Sequence, residues 1–110
     1  MADFYVRQGD RLPALRATLK DQTGAAVDLS GAIVVFSMRH KLTRVIKVNN
    51  AATVAVTPIS GVYEYQWAAI DTDTAGDYLG EFEATYIASG KTLTFPNSSD
   101  IAISIRSEMG

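Results

Sequence analysis

The side chains able to do chemistry in this chain are few, and their spacing narrows what that chemistry could be. His40 is the only histidine and there is no cysteine. A nucleophilic triad therefore has one possible base, and a thiolate centre or a disulfide framework is excluded. His40 lies in Arg39-His40-Lys41, a strand end crowded with cations. A zinc site would need three carboxylates drawn from scattered strands. His40 therefore reads as a solvated strand-end residue. Asp71, Asp73 and Gly76 have the first, third and sixth spacing of a calcium loop. The fifth position is Ala75 and the twelfth is Phe82, so the loop reads instead as a solvated turn. Glu81 and Glu83 lie about 7 Å apart on one strand face and could be offered as a glycosidase pair. Carboxylates at i and i+2 of an exposed strand more often form a surface stripe. Gly76 and Gly80 flank a strand rather than open a helix, so no phosphate loop is present. Asn97-Ser98-Ser99 matches a glycosylation sequon, which carries no meaning without a secretory signal. No reaction is encoded in these spacings.

Aromatic side chains offer the other chemistry. Tyr63, Tyr65 and Trp67 fall on one strand face. They fit either a sugar-stacking platform or the large residues of a core, where aromatics supply much of the buried area. Tyr86 and Phe95 fall on strands expected nearby.

The elements that must carry these residues alternate with period two, and no twelve-residue stretch keeps a helical stripe. Strands are expected over residues 4–9, 15–20 and 32–40. Ile33-Val34-Val35-Phe36, apolar on both faces, marks the third as central. Residues 45–48 and 53–57 read as a pair around Asn49-Asn50. Further strands are expected over 62–67, 77–87, 92–95 and 101–106, with one short helical turn within 68–76. Pro96-Asn97-Ser98-Ser99 is expected to break the ladder before the last strand. Pro13 and Pro96 suit strand edges, and Gly9 and Gly24 suit turns. The pattern predicts an all-β antiparallel sandwich of about seven to nine strands, forming one domain over residues 1–110.

Composition agrees with that class. The chain has 110 residues, 47% hydrophobic and 20% charged, a globular balance rather than a disordered one. No apolar run reaches membrane-span length, no signal peptide opens the chain, and the net charge of −2 argues against a general nucleic-acid binder. Membrane and nucleic acid are therefore not expected partners, and no cofactor is expected. The charge is uneven, however. Basic residues including Arg39, Lys41, Arg44 and Lys47 dominate the first fifty positions, and acids including Asp77, Glu81 and Glu83 dominate the rest. This fits either a solvated surface or one basic and one acidic face that join copies head to tail. On the second reading those seven residues form the assembly interface.

Thr74-Ala75-Gly76-Asp77-Tyr78-Leu79-Gly80 resembles the tyrosine corner of immunoglobulin domains, with Gly80 at the position of the second cysteine. The Tyr78 hydroxyl would then bond backbone a few residues upstream; otherwise Tyr78 is ordinary core packing. Trp67 and Tyr78 are the expected structural residues.

The order of motifs also resembles the N-terminal domain of phage baseplate upper proteins. It runs through Gln8-Gly9-Asp10-Arg11-Leu12-Pro13, Leu19-Lys20-Asp21-Gln22-Thr23-Gly24, Val27-Asp28-Leu29-Ser30-Gly31-Ala32 and Val35-Phe36-Ser37-Met38. It continues through Gly61-Val62-Tyr63-Glu64-Tyr65-Gln66-Trp67, Asp71-Thr72, Ala75-Gly76-Asp77-Tyr78, Gly80-Glu81-Phe82-Glu83 and Thr94-Phe95-Pro96. The match covers about Gln8 to Ile105. The resemblance implies an immunoglobulin-like sandwich that is a non-enzymatic building block of a tailed-phage virion, made in the bacterial cytoplasm. Its implied partners are other phage structural proteins and copies of itself, on the tail, baseplate or neck. In that family a long stalk follows and leads to the receptor-binding protein. This chain stops at Gly110, so that route to a receptor-binding protein is not expected here. Other readings are a carbohydrate-binding or host-surface adhesion module, and a capsid decoration protein.

Overall fold

A computed structural model describes residues 2–96 and 100–107; the sequon Asn97-Ser98-Ser99, and with it most of the expected ladder break, lies outside them. Nine strands occur among the described residues: β1 Phe4–Arg7, β2 Leu15–Thr18, β3 Ala32–His40, β4 Ile46–Ala52, β5 Val54–Thr57, β6 Val62–Tyr65, β7 Gly76–Tyr86, β8 Thr92–Phe95 and β9 Ile101–Arg106. Two 3-10 turns, Pro58–Ser60 and Ala69–Thr72, interrupt them. The larger sheet has the order β1-β9-β7-β3-β4, with β8 also on β7, and the smaller has the order β2-β6-β5. β8 and β9 share one edge of β7, pairing with residues 82–85 and 76–80. This distribution of strands over two layers is that of a β-sandwich.

Alternation explains why the layers meet. On β3, Val34, Phe36 and Met38 are buried while Ile33, Val35, Ser37 and Arg39 face outward. β7 repeats the pattern in register, with Phe82 opposite Phe36 and Gly80 opposite Met38. Leu15, Tyr63, Tyr65 and Trp67 close the core from the other side. Phe36 sits at its centre, stacked on Tyr65 at 4.7 Å between centroids and edge-on to Trp67 at 6.0 Å. Such ring pairs add to the stabilisation from burial. A Cβ on Gly80 would come within 2.9 Å of the Phe36 ring and 2.8 Å of Ile103. The absence of a side chain at Gly80 is what admits the edge of the Phe36 ring.

The structure adds a 3-10 turn at Pro58–Ser60 to the one expected, and its strand pairing differs from the expected pattern in two places. The sandwich is not wholly antiparallel, because β1 runs parallel to β9, with Phe4 opposite Ile103 and Val6 opposite Ile105. Nor do β4 and β5 pair around Asn49-Asn50. β4 pairs with β3 and β5 with β6, in different sheets. Asn50, at φ 50°, lies at a register shift rather than in a turn. It is held there by Ser37, whose Oγ accepts from the Asn50 N–H at 2.9 Å. The chain changes sheet at Thr53, whose hydroxyl donates to the Val34 carbonyl at 2.7 Å. Asparagine tolerates a positive φ in a bulge as it does in a turn, so its presence alone did not separate the two.

Candidate assembly interface

The motif residues prove to be fasteners. Gln8-Gly9-Asp10 and Asp71-Thr72, more than sixty positions apart, interlock at one end of the sandwich. The Gly9 N–H donates to the Thr72 carbonyl at 2.8 Å, and the Thr72 hydroxyl returns a bond of 2.8 Å to the Asp10 carbonyl. Gln8 Nε2 reaches the Asp73 carbonyl at 2.8 Å. Farther along, Trp67 Nε1 donates to the Pro13 carbonyl at 3.1 Å and Arg11 Nε to the Trp67 carbonyl at 3.0 Å. The segment from Gln8 to Pro13 is thereby tied to the segment from Trp67 to Asp73.

Val27-Asp28-Leu29-Ser30-Gly31 is fastened in the same way. Leu29 is wholly buried, its N–H donates to the Pro58 carbonyl at 2.9 Å, and Tyr86 Oη donates to the Asp28 carbonyl at 2.7 Å. The Asp28 carboxylate accepts from the Ser30 hydroxyl and N–H, which hold its pKa below the usual carboxylate range. Asp21 is lowered likewise, first by the Thr23 hydroxyl and then by backbone N–H groups of its turn. Gly61 admits no side chain: a Cβ would come within 2.8 Å of the Leu19 and Val27 carbonyl oxygens, at φ 70°.

The groups that could have acted chemically are engaged in the same framework. Asp71, buried, accepts from Tyr65 Oη and from the Ala68 N–H at 2.8 Å. Burial first, then the Asp71 bond and charge, push the Tyr65 phenol well above its ordinary value. Asp73 accepts from Lys47 at 2.5 Å and from Thr74 at 2.9 Å, and its pKa is lowered first by Lys47. The turn expected to be solvated is thus in part buried, with Asp71 and Thr72 inside the protein. His40 is half-buried rather than fully solvated, its ring edge-on to Tyr78 at 5.2 Å. Its Nδ1 accepts from the Leu42 and Thr43 N–H groups at 3.2 and 3.3 Å. Tyr78 Oη donates to the Thr74 carbonyl at 2.9 Å, the upstream backbone bond that a tyrosine corner requires.

The aromatic platform is corrected by burial. Tyr63, Tyr65 and Trp67 expose 4%, 5% and 1% of their surface, so none offers a ring face to a sugar. Large aromatics on one strand face satisfy a core and a platform equally until the second sheet is placed over them.

The charged residues named from the sequence lie on β3, β4 and β7 and the turn between β3 and β4. Arg39, Lys41, Arg44 and Lys47 surround the β3–β4 hairpin, with Arg44 at φ 65° in its turn. β7 is the neighbour of β3, and the Lys41 N–H donates to the Asp77 carbonyl at 2.9 Å. Glu81 and Glu83 lie on the same outer face as Arg39, opposite Ser37 and Val35. Arg39 pairs with Asp100 at 3.0 Å and Lys47 with Asp73. Sheet pairing thus brings two regions that are separate in the sequence onto adjacent strands.

Comparison with family models, with curated proteins and with solved structures returns no match. Among the described residues, some strand edges have no neighbouring strand. β4 and β5 form one side of the sandwich, where Val45, Ile46, Val54, Val56 and Ile59 are exposed. On the other side β2 bonds to β6 alone among the described strands. Strand edges of this kind template pairing with further chains.

Proposed function

We propose that this domain is a non-enzymatic structural protein of a tailed-phage particle, incorporated in several copies into the tail, baseplate or neck. The reading rests on the ordered motifs that resemble the N-terminal domain of baseplate upper proteins. The observation that carries it is that these motifs are joints: Gly9–Thr72, Thr72–Asp10, Trp67–Pro13 and Leu29–Pro58 tie the ends of the sandwich. A set of residues whose work is to hold a sandwich rigid suits a part that acts by its shape and edges. His40, Asp71 and Asp73, the groups best placed for chemistry, are each held in internal hydrogen bonds. The partners in this reading are other particle proteins and copies of the chain itself. The test is mass spectrometry and immunogold labelling of purified particles from a host that expresses the gene in its phage context. Stoichiometric recovery with the tail or neck supports the proposal, and particles free of the chain refute it.

A further inference from the structure

Of the charged side chains expected to join copies, Arg39 and Lys47 are already engaged, with Asp100 and Asp73. Among the described residues no ion pair forms at Lys41, Arg44, Glu81 or Glu83. The two cations flank Leu42, 83% exposed, at the tip of the β3–β4 hairpin. The two carboxylates stand on the outer face of β7, and Ile33, 59% exposed, lies on the same face of β3. One chain thus carries a basic tip and an acidic face, each with an aliphatic side chain left in water. Glu83 is opposite Val35, whereas the hairpin turn begins past His40, five residues farther along β3. That is roughly 17 Å of strand, beyond the joint reach of an arginine and a glutamate. Arg44 and Glu83 therefore cannot meet within one copy. The tip is also firm. His40 Nδ1 accepts from the Leu42 and Thr43 N–H groups, and the Arg44 N–H donates to the His40 carbonyl at 3.0 Å. A loop already fixed in shape loses little entropy when it docks.

We propose that the hairpin tip of one copy docks on the outer face of β7 of a second copy, setting Lys41 and Arg44 against Glu81 and Glu83. Charge complementarity selects this occupant, because the acids that the tip lacks are present on the chain itself and are out of reach from the same copy. Opposite charges closer by do not satisfy these groups. Arg39, which shares a hollow with Glu81, is held by Asp100. Asp77, which shares one with Lys41, forms no ion pair among the described residues. Leu42 and Ile33 would leave water in the same contact, which adds an apolar contribution to the charged one. The contact joins two different patches, so every copy carries one of each, and copies can link in succession or close a ring. It rests on the assembly reading above for its setting and names the partner there, although the contact itself needs no particle.

Arg44 and Glu83 are both exposed, which allows a crossed test that leaves the core intact. Sedimentation velocity of the whole chain at low ionic strength should show reversible association that weakens as salt rises. Arg44→Glu alone and Glu83→Arg alone should each weaken it by about 10-fold or more, since like charges then face each other. Mixing the two variants should restore association, because the parental tip of one meets the parental face of the other. Lys41→Glu with Glu81→Lys repeats the cross at the neighbouring positions. Circular dichroism of every variant should match the parent. A chain that stays monomeric at millimolar concentration in low salt overturns the proposal and leaves the tip to an acidic partner of another kind. Reversals that leave association unchanged, or a mixture no tighter than its components, overturn it as well. Association with the expected cross, in a chain missing from purified particles, upholds the contact and sinks only the virion reading.

Discussion

Tyr65 and Asp71 form a hydrogen-bonded phenol–carboxylate pair inside the protein, with Asp71 only 5% exposed. The pair joins the end of β6 to the 3-10 turn that leads into β7, and the same carboxylate oxygen accepts from the Ala68 N–H. Removing the acceptor strands two donors. Asp71→Ala should therefore destabilise the fold by about 2–4 kcal/mol, more than Tyr65→Phe at about 1–2 kcal/mol. Urea unfolding of the two variants and of the double variant measures both, and the double should fall short of the sum. Equal, small effects would show that the bond contributes little.

Alkaline pH should unfold this protein earlier than its lack of disulfides alone suggests. Burial raises the phenols of Tyr63, Tyr65 and Tyr78 above their ordinary value. A group raised in the folded state contributes stability that is whole below its unfolded pKa and is lost as pH climbs toward the folded one. Stability should thus hold up to about pH 10 and decline above it. Thermal melts between pH 8 and 12 test this, and Tyr65→Phe should flatten the decline.

Tyr78→Phe removes one donor to the Thr74 carbonyl and leaves the ring in place. The expected cost is about 1 kcal/mol. Unfolding should remain a single cooperative transition with the same midpoint in the presence of reductant. A neutral result at Tyr78 would return its hydroxyl to mere tolerance at the core edge.

Gly80 is closed to any larger residue. Its Cβ would meet the Phe36 ring and Ile103 at less than 3 Å, so Gly80→Ala should cost about 1–3 kcal/mol as overpacking. Adding Phe36→Leu to that variant should recover part of the loss, because it removes the ring atoms in the way. Chemical denaturation of the single and double variants decides it.

The lone tryptophan reports on the core. Trp67 is 1% exposed and packs against Phe4, Phe36 and Tyr65. Its emission should be blue-shifted and resistant to acrylamide until the chain unfolds. Ready quenching in the native state would reopen the sugar-platform reading.

Local chemistry was legible in the sequence because it depends on neighbours in the chain. Period-two alternation marked the strands, and β3 and β8 span the residues expected of them. Asp21-Gln22-Thr23-Gly24 announced its turn through a side chain that bonds its own backbone. The tyrosine corner at Tyr78 was readable for the same reason, since its acceptor lies four residues upstream. Tertiary structure alone decided which strands pair. Whether Asn50 turns the chain or bulges a strand depends on Ser37 across the sheet, and β4 and β5 part because each finds a different partner. The charge pattern along the chain gives no placement for the same reason. Arg39 and Glu81 are forty-two positions apart in sequence, yet lie on one face of adjacent strands. Sheet contacts join residues distant in the chain, and side-chain alternation specifies a strand's face but not its neighbour. β1 pairs with β9 in the larger sheet rather than with β2, a choice no segment of the chain makes alone.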